Sequence, residues 1–324
     1  MRAVHCVRDS DHTQLELVEL PPPGDPAPHQ VKIAMSVRGI QFSDLVRIAG
    51  NYQVKTPHPF VVGGEGAGTV TAVGDEVSRL HGLQEGDQVI CPGGCVEEIL
   101  VSANAVHRVP AGVDLAAAAS FRNNYATAYY GLMRGQLQAG ESLLVHGAAG
   151  GVGLAAVDLG KLYGASVIGT ASADDKLEVV KSMGADHTIN YSDGFKDQVK
   201  EITGGLGADV IYDPVGGDVF DESVRCIAPF GRILVVGFTS GRSALAKTNH
   251  LLVKDASVIG YTLGGLQKHN PQLQNQINET LMGWLASKRI NPYISHTLPM
   301  SEIEAAYQLI VDRKVVGKVM ITND

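Results

Sequence analysis

Two patterns of hydrophobic and polar positions divide the chain. The first third carries short apolar, β-branched runs between glycine and proline clusters, namely MRAVHCV, QVKIAMSVRGI, GEGAGTVTAVG and GDQVICPGG. Runs of this length and composition, punctuated in this way, are typical of strands joined by tight turns. We therefore predict a compact, mostly antiparallel β domain at the start of the chain.

From about Asn123 the pattern changes to strands that alternate with helices. The strand-like runs are SLLVHG, SVIGTA, HTINY, ADVIYDPVG, GRILVVGF and ASVIGYTL. Helix-like segments lie between them, and three of these predict a C-terminal stop at a glycine, at Gly164, Gly184 and Gly231. This alternation favours parallel βαβ units with helices on both faces of one sheet.

The tail returns to a different pattern, with the amphipathic helix candidate NPQLQNQINETLMGWLASKRI and a closing helix and strand. We therefore predict an α/β domain over residues 123–264, inserted between two pieces of another domain, residues 1–122 and 265–324.

Composition narrows the class of protein. A chain of 324 residues with 44% apolar and 19% charged residues is typical of a globular protein of two domains. The net charge of −8 argues against a nucleic-acid surface. No apolar run is long enough to predict a membrane span. With four cysteines and no signal-peptide pattern, we expect a cytoplasmic protein.

A glycine cluster stands between the first strand and first helix of the α/β part, in SLLVHGAAGGVGLAAVDLG. Ala148, Gly150 and Gly153 occupy the three positions of a G-x-G-x-x-G template, and Gly151 and Val152 lie within it. In such a turn the second glycine lets the backbone approach a pyrophosphate, and the third lets the helix pack on the sheet. The cluster predicts dinucleotide binding; a purely structural glycine turn is the alternative.

The end of the second strand indicates which dinucleotide. An NAD site usually places Asp or Glu there, whereas this strand ends in GTAS and leads to Lys176. The Ser172 hydroxyl and the Lys176 ammonium suit a 2′-phosphate, so we expect NADPH rather than NADH. Asp174 and Asp175 leave one question open, because they could favour the helix N-terminus or repel that phosphate.

The chain resembles the medium-chain dehydrogenase/reductases, and more narrowly the zinc-independent, zeta-crystallin-like NADPH:quinone oxidoreductases. The resemblance extends over the whole chain, through PFVVGGEGAGTVTAVG, YATAYYGL, HGAAGGVG, GADHTINY, YDPVGGDVF, GRILVVGF and GKVMI. It implies a Rossmann-type doubly wound parallel sheet inserted in a GroES-like, mostly β catalytic domain.

Zinc enzymes of this family carry a cysteine after Gly-Ile and a histidine in Gly-His-Glu. Here Gln41 and Gly64 stand in those places, and only Cys91 and Cys95 lie where the structural zinc lobe would need four cysteines. A catalytic zinc takes three Cys, His or carboxylate ligands. We therefore expect no metal, and an acceptor that is already electrophilic at carbon: a quinone or, alternatively, an enone or 2-enoyl compound.

The resemblance also implies roles for single residues. Gln41 would face the nicotinamide, and Tyr52 would donate a hydrogen bond to the acceptor oxygen, although an ordinary loop tyrosine is an equal alternative. The segment FRNNYATAY departs from the aliphatic residues usual in relatives. That departure indicates a more polar cleft and argues against a large hydrophobic quinone.

The remaining candidates would contact the cofactor. Thr127 matches a threonine that contacts the nicotinamide amide, and Lys176 and Tyr191 match residues that hold the 2′-phosphate. Arg313 is a further phosphate candidate, with a solvated surface arginine as the alternative. Phe238 follows a strand of the sheet, where open α/β sheets bind ligands.

The strand in ASVIGYTL should be the last strand of the parallel sheet. An exposed edge of this kind invites pairing with another strand, and relatives pair it with a symmetry mate. We therefore expect a homodimer through the edge near residues 257–261. The leading hypothesis is an NADPH:quinone reductase, the second an NADPH-dependent enone or 2-enoyl reductase. An NADPH-binding protein with little catalysis is a third.

Overall fold

The computed structural model describes residues 1–9, 12–52 and 55–324. The chain divides into two compact units, Met1–Arg122 with Tyr293–Asp324, and Asn123–Pro292. Over the described ranges, no helix has both the length and the apolar character needed to cross a bilayer.

In chain order the strands are β1 (Arg2–Asp9), β2 (His12–Glu19), β3 (Gln30–Ile40), β4 (Phe60–Val61), β5 (Glu65–Val73), β6 (Gln88–Cys91), β7 (Glu98–Ser102), β8 (His107–Arg108), β9 (Ser142–Val145), β10 (Ser166–Ala171), β11 (His187–Asn190), β12 (Ala208–Asp213), β13 (Ile227–Val235), β14 (Ser257–Gly260), β15 (Ile294–Pro299) and β16 (Lys318–Thr322). The α-helices are α1 (Phe42–Ile48), α2 (Val77–His81), α3 (Leu115–Arg134), α4 (Gly151–Leu162), α5 (Asp174–Ser182), α6 (Lys196–Ile202), α7 (Gly217–Ser223), α8 (Thr248–Lys254), α9 (Leu263–His269), α10 (Pro271–Ala286) and α11 (Ile303–Val311). Short 3₁₀ helices cover Ala103–Ala105, Tyr191–Asp193 and Met300–Glu302.

The first unit is built from two sheets. Three strands pair antiparallel in the order β2-β1-β4, and a larger sheet has the order β15-β16-β3-β5-β6-β8, with β7 also paired to β3. Within the larger sheet only β15 and β16 run parallel. Along β3 the core residues Val31, Ile33 and Met35 alternate with less buried residues. The mostly antiparallel domain predicted for the start of the chain is therefore confirmed.

The second unit is a six-stranded sheet in the order β11-β10-β9-β12-β13-β14, and every neighbouring pair runs parallel. The central strands are continuous apolar runs, such as Leu143, Leu144 and Val145, because both faces of a parallel sheet are covered. Strand order reverses between β9 and β12, and such a reversal is where open α/β sheets bind ligands. The predicted doubly wound fold is confirmed.

The second boundary between the units lies between Pro292 and Tyr293, whereas the sequence predicted it between residues 264 and 265. The difference arises because α10 packs on the α/β unit. Trp284 of α10 lies against Tyr129 and Tyr163, with ring centroids 5.6 Å and 6.1 Å away.

The predicted helix stop at Gly231 is wrong, since α7 ends at Ser223 and Gly231 lies inside β13. The preceding Phe230 has a positive φ of 62°, and the pairing register with β12 shifts between Ala208 and Val210. The glycine therefore lies in an irregular stretch of β13, between Ile227, which pairs with Ala208, and Arg232, which pairs with Val210.

Candidate functional site

The glycine turn joins β9 to α4 with a tightly packed backbone. Gly150 is the extended N-cap of α4, and no side chain caps this end of the helix. A Cβ on Gly153 would lie 2.3 Å from the Gly147 carbonyl oxygen and 2.8 Å from the Ala148 Cα. The helix therefore packs on the turn only because Gly153 has no side chain. Its first N–H groups stay available for an anion at the strand-order reversal.

Gly151 accommodates a neighbour from another helix. A Cβ at Gly151 would lie 2.4 Å from the Asn124 side-chain nitrogen, and Asn124 is buried on α3. At Gly150 the nearest atom would be the Gly147 oxygen, 3.3 Å away. Thr127 lies three residues after Asn124, on the same face of α3, and is half-buried. The structure thus brings Asn124 to the start of α4. In the sequence this residue is marked only by its difference from the aliphatic residues of relatives.

His146 holds the base of this turn. Its Nδ1 lies 3.0 Å from Thr170 Oγ1 and its Nε2 lies 2.8 Å from Ser223 Oγ. Ser223 donates its own hydrogen to the Val219 carbonyl, so it accepts from Nε2–H, and Thr170 donates to Nδ1. Complete burial lowers the pKa of His146 to about 3. The residue is a neutral structural support.

Acid should therefore destabilise the protein through His146. The folded protein keeps this imidazole neutral, while the unfolded chain takes up a proton below pH 6.5, the usual pKa of histidine. The stabilisation is complete above pH 6.5 and is lost as the pH falls towards 3. The free energy of unfolding should fall by about 1.4 kcal/mol for each pH unit between these two values. Urea unfolding from pH 7 to pH 4 should show a shallower pH dependence for His146→Gln. The exposed control His269→Gln should keep the wild-type slope, and equal slopes for all three proteins would contradict the prediction.

The ends of β10 and β11 bring the predicted 2′-phosphate residues to one edge of the sheet. Ser172 is exposed directly after β10, Lys176 is half-buried in the first turn of α5, and half-buried Tyr191 directly follows β11. The two strands are parallel neighbours, with Ala171 opposite Asn190. Their carboxyl ends therefore lie side by side.

Asp174 is held at the start of α5. Its carboxylate accepts a hydrogen bond of 2.8 Å from the Asn190 side-chain nitrogen. A carboxylate in the first turn of a helix is also favoured by the helix dipole. The geometry thus supports the interpretation of Asp174 as a helix N-terminal residue, one of the two alternatives left open by the sequence.

Phe238 lies in the loop after β13 and is 44% exposed. The backbone of this loop is fastened to the loop after β12, through Thr239 N–H to Pro214 O and Ser240 N–H to Val215 O, both 3.1 Å. The loop after β12 is shaped by buried Asp213, whose carboxylate accepts the Val215 and Gly216 N–H groups at 2.8 Å and 2.9 Å. Asp213 was not among the residues predicted from the sequence, where its signal is an acid at the end of a buried strand, followed by a Pro-Val-Gly-Gly turn.

In the first unit, Gln41 begins α1, and its backbone N–H donates to the Asp44 carboxylate at 2.9 Å. Its side-chain Oε1 lies 3.4 Å from the Lys318 ammonium, which also forms a short ion pair with Glu65. The Lys318 and Glu65 side chains are 3% and 1% exposed. Neither residue was singled out as functional from the sequence, although Glu65 follows the Gly63-Gly64 pair and Lys318 lies in GKVMI.

Burial raises the pKa of Asp44 to about 6. The Gln41 N–H and the Lys318 charge oppose this rise, whereas Glu65 adds to it. Arg122 is half-buried on α3, and burial lowers its pKa while the nearby Glu65 charge raises it. Gln41 therefore lies in a polar, charged part of an otherwise apolar domain.

Tyr52 is 38% exposed in the segment after α1, next to residues 53 and 54, which lie outside the described part of the chain. Arg313 is exposed in the turn after α11, with a positive φ of 56°. The structure does not test their roles, which remain predictions.

The described residues contain no cluster of three His, Cys, Asp or Glu side chains that could hold a metal ion. Cys91 and Cys95 are fully buried free thiols, and burial raises the pKa of each to about 12. Thiols in this environment stay protonated and inert.

Comparison with known proteins identifies both units. Residues 27–120 match the family model "Alcohol dehydrogenase GroES-like domain", and residues 151–285 match "Zinc-binding dehydrogenase". The Nematostella vectensis "Quinone oxidoreductase-like protein 2 homolog" is 42% identical over 302 residues, covering 91% of this chain and 82% of the relative.

Two solved structures cover nearly the whole chain. Escherichia coli quinone oxidoreductase complexed with NADPH is 26% identical, with a TM-score of 0.89, covering 99% of this chain and 100% of that one. The CurK enoyl reductase is also 26% identical, with a TM-score of 0.85 and coverage of 100% and 99%. The antiparallel unit is thus GroES-like and the parallel unit Rossmann-like. The chain belongs to the medium-chain dehydrogenase/reductase family of oxidoreductases, in its zinc-independent, quinone oxidoreductase-like branch.

Proposed function

We propose that the protein is an NADPH-dependent, metal-independent reductase that transfers hydride to a quinone. The observation that carries the proposal is the uncapped start of α4, next to a strand end that presents Ser172 and Lys176. Similarity to a quinone oxidoreductase complexed with NADPH supports the same cofactor. This surface combines N–H donors for a pyrophosphate with a hydroxyl and an ammonium for a 2′-phosphate.

Most of the predicted residues have a place in this proposal. The backbone of Gly150, Gly151 and Val152 would bind the pyrophosphate at the start of α4. The 2′-phosphate would contact Ser172, Lys176 and Tyr191. Thr127 would bind the nicotinamide amide, and Phe238 would cover the cofactor from the loop after β13.

The acceptor would be activated by hydrogen bonds. Gln41 and Gly64 replace two residues that would ligate zinc in related enzymes. A glutamine amide is not among the usual zinc ligands, and glycine has no side chain. A quinone accepts hydride while negative charge develops on its oxygen. N–H and O–H donors from Gln41 and Tyr52 can stabilise that charge.

A carbon–carbon double-bond reductase is the second candidate. It is favoured by the structural similarity to an enoyl reductase and by the polar Arg122-Asn123-Asn124 segment, which fits a smaller, oxygen-bearing substrate. An enone places developing charge on its carbonyl oxygen, so the same donors would serve.

One assay separates these functions. Oxidation of NADPH and of NADH is followed with 1,4-benzoquinone, 9,10-phenanthrenequinone and a simple enone as acceptors. We expect turnover with NADPH and a quinone. Turnover with the enone alone would establish the second candidate instead. A preference for NADH would contradict the assignment of Ser172 and Lys176, and binding without turnover would favour a non-catalytic role.

Lys176→Ala should weaken NADPH binding by about 10-fold to 100-fold, because a charged hydrogen bond to the 2′-phosphate is lost. NADH binding should change little, since NADH has no such phosphate. Lys181→Ala, at the exposed last turn of the same helix, is the matched control and should leave both affinities unchanged. Fluorescence titration measures the four affinities, and an equal loss for both cofactors would contradict the assignment.

A homodimer through the β14 edge is also proposed. Among the described strands β14 pairs only with β13, and Leu252 and Val253 on α8, the helix that precedes β14 in the chain, are 79% and 80% exposed. Pairing two β14 strands would satisfy the free edge and cover this apolar surface. Light scattering should give about twice the chain mass of 34.2 kDa, and the mass of a monomer would contradict the proposal.

We also propose a cytoplasmic location. Cys6, Cys91, Cys95 and Cys226 are all free thiols, as expected in a reducing compartment. Fractionation of the native cells should recover the protein with cytoplasmic markers.

A further inference from the structure

We propose that the buried Glu65–Lys318 ion pair is a positioning device that turns the Gln41 side-chain amide so that its NH2 group faces the acceptor oxygen. The inference rests on the proposed function, because it explains how Gln41 would stabilise charge on a quinone or enone.

The orientation follows from the donors and acceptors present. Lys318 Nζ lies 3.4 Å from Gln41 Oε1 and contacts a Glu65 carboxylate oxygen. An ammonium carries only donors, so the amide oxygen, and not the NH2 group, faces it. The opposite rotamer would place N–H against N–H with a buried positive charge alongside. Gln41 Nε2 is therefore directed away from the ion pair.

The backbone fixes the ion pair beside Gln41. β16 pairs antiparallel with β3 so that Val319 is opposite Ile40, and the next step of this register brings Lys318 opposite Gln41. β5 pairs with β3 on the other side, where Glu65 is opposite Gly39. The strand register therefore places Lys318 and Glu65 on either side of β3, next to Gln41.

Gly39 provides the space that the pair occupies. A Cβ at Gly39 would lie 2.6 Å from Lys318 Cε and 3.0 Å from Glu65 Oε1. With side-chain exposures of 3% and 1%, both charges are removed from water and have little freedom to move. This rigidity distinguishes the pair from a surface salt bridge.

The donor group of Gln41 remains available to a ligand. Its backbone is held by Asp44 at the start of α1, its side chain is half-buried, and no acceptor from the described ranges bonds to Nε2. Bound NADPH would supply a hydride to the acceptor and be left as NADP⁺, while an electron pair of the acceptor would move to its oxygen, which would take a proton from water. An N–H polarised by the Lys318 charge is a stronger donor to that oxyanion.

The test is a mutant cycle between the ion pair and the amide. Glu65→Gln with Lys318→Met removes both charges at similar volume and leaves the Gln41 side chain only its capping-box contact with the Asp44 backbone N–H. We expect kcat to fall about tenfold, with the KM for NADPH unchanged, because a donor to the developing charge is lost. In the Gln41→Ala background the same pair of substitutions should cost nothing further. Gln41→Glu, which keeps the contact with Lys318 but has no donor, should fall as far as Gln41→Ala.

The proposal would be overturned if the kcat losses of Gln41→Ala and of the Glu65→Gln, Lys318→Met variant added in full when all three substitutions are combined. It would also be overturned if the Glu65→Gln, Lys318→Met variant had wild-type kcat. NADPH affinity and thermal unfolding of each variant show whether the fold is retained.

A second measurement does not depend on activity. The protein is labelled with ¹⁵N-glutamine, and the side-chain amide signals are recorded by NMR. The signals of Gln41 are assigned as those that are missing from the spectrum of Gln41→Ala. We expect them to shift when Glu65→Gln and Lys318→Met are introduced, and unchanged signals would overturn the proposal. If they shift while the wild-type protein reduces neither quinone nor enone, the proposed function fails and the positioning of Gln41 stands.

Discussion

Gly153→Ala is expected to weaken NADPH binding by about 100-fold. The new Cβ would lie 2.3 Å from the Gly147 carbonyl oxygen and 2.8 Å from the Ala148 Cα, both backbone atoms that no rotamer change can move. The start of α4 must therefore shift relative to the turn. A misplacement of about 1 Å can cost a reaction about two orders of magnitude in rate, and we expect a comparable loss in binding here. Overpacking should also lower the free energy of unfolding by about 1–3 kcal/mol. Fluorescence titration with NADPH and urea unfolding measure the two effects.

The matched control is Gly283→Ala in α10. The substitution is the same and the residue is again helical, but a Cβ at Gly283 would meet no atom within 4 Å. Alanine is preferred to glycine in a helix by about 1 kcal/mol, so this variant should be slightly more stable and bind NADPH normally. Wild-type affinity in Gly153→Ala would show that the turn can relax without disturbing the phosphate site.

Lys318→Met alone is expected to lower the free energy of unfolding by about 3–5 kcal/mol at pH 7. The Glu65 side chain is only 1% exposed, and methionine would remove the ammonium paired with its carboxylate, so that Arg122 would be left as the nearby positive charge. Removing one partner of a buried pair costs much more than removing both. Urea unfolding at pH 7 gives the difference from wild type.

Combining Glu65→Gln with Lys318→Met should restore part of that stability, because the carboxylate is removed together with its ammonium partner, although Arg122 then loses the nearby Glu65 charge. The comparison of the single with the double variant isolates the penalty of the uncompensated carboxylate. A Lys318→Met protein as stable as wild type would mean that water or Arg122 compensates the Glu65 charge, and so would contradict a rigid Glu65–Lys318 pair as the device that positions Gln41.

The glycine turn shows what a local pattern determines. A short apolar run, small residues and a helix-forming segment predict a strand, a tight turn and a helix, and the structure has β9, the turn and α4 in that order. The need for glycine at position 153 is a steric property of this turn, so residue type and spacing alone indicate it. The alternation of apolar strands and helices likewise predicted the parallel sheet, because each strand is buried on both faces.

The misassigned segments show where local patterns fail. Gly231 fits a helix stop and an irregular stretch of strand equally well, and pairing with β12 decides between them. The predicted boundary at residues 264 and 265 follows the last strand. The packing of Trp284 on Tyr129 assigns α10 to the α/β unit. Each of these contacts joins residues that are well separated in the chain, so no short stretch of sequence indicates it.

The sequence by itself determined the two-unit α/β class, the glycine turn and the replacement of zinc ligands at Gln41 and Gly64, since each depends on residue types within one short segment. Only the tertiary structure decided which groups surround Gln41. Lys318 and Glu65 are 253 residues apart in the chain and meet through the register of β16, β3 and β5. The orientation of an amide depends on the charge beside it, and long-range strand pairing sets that charge in place.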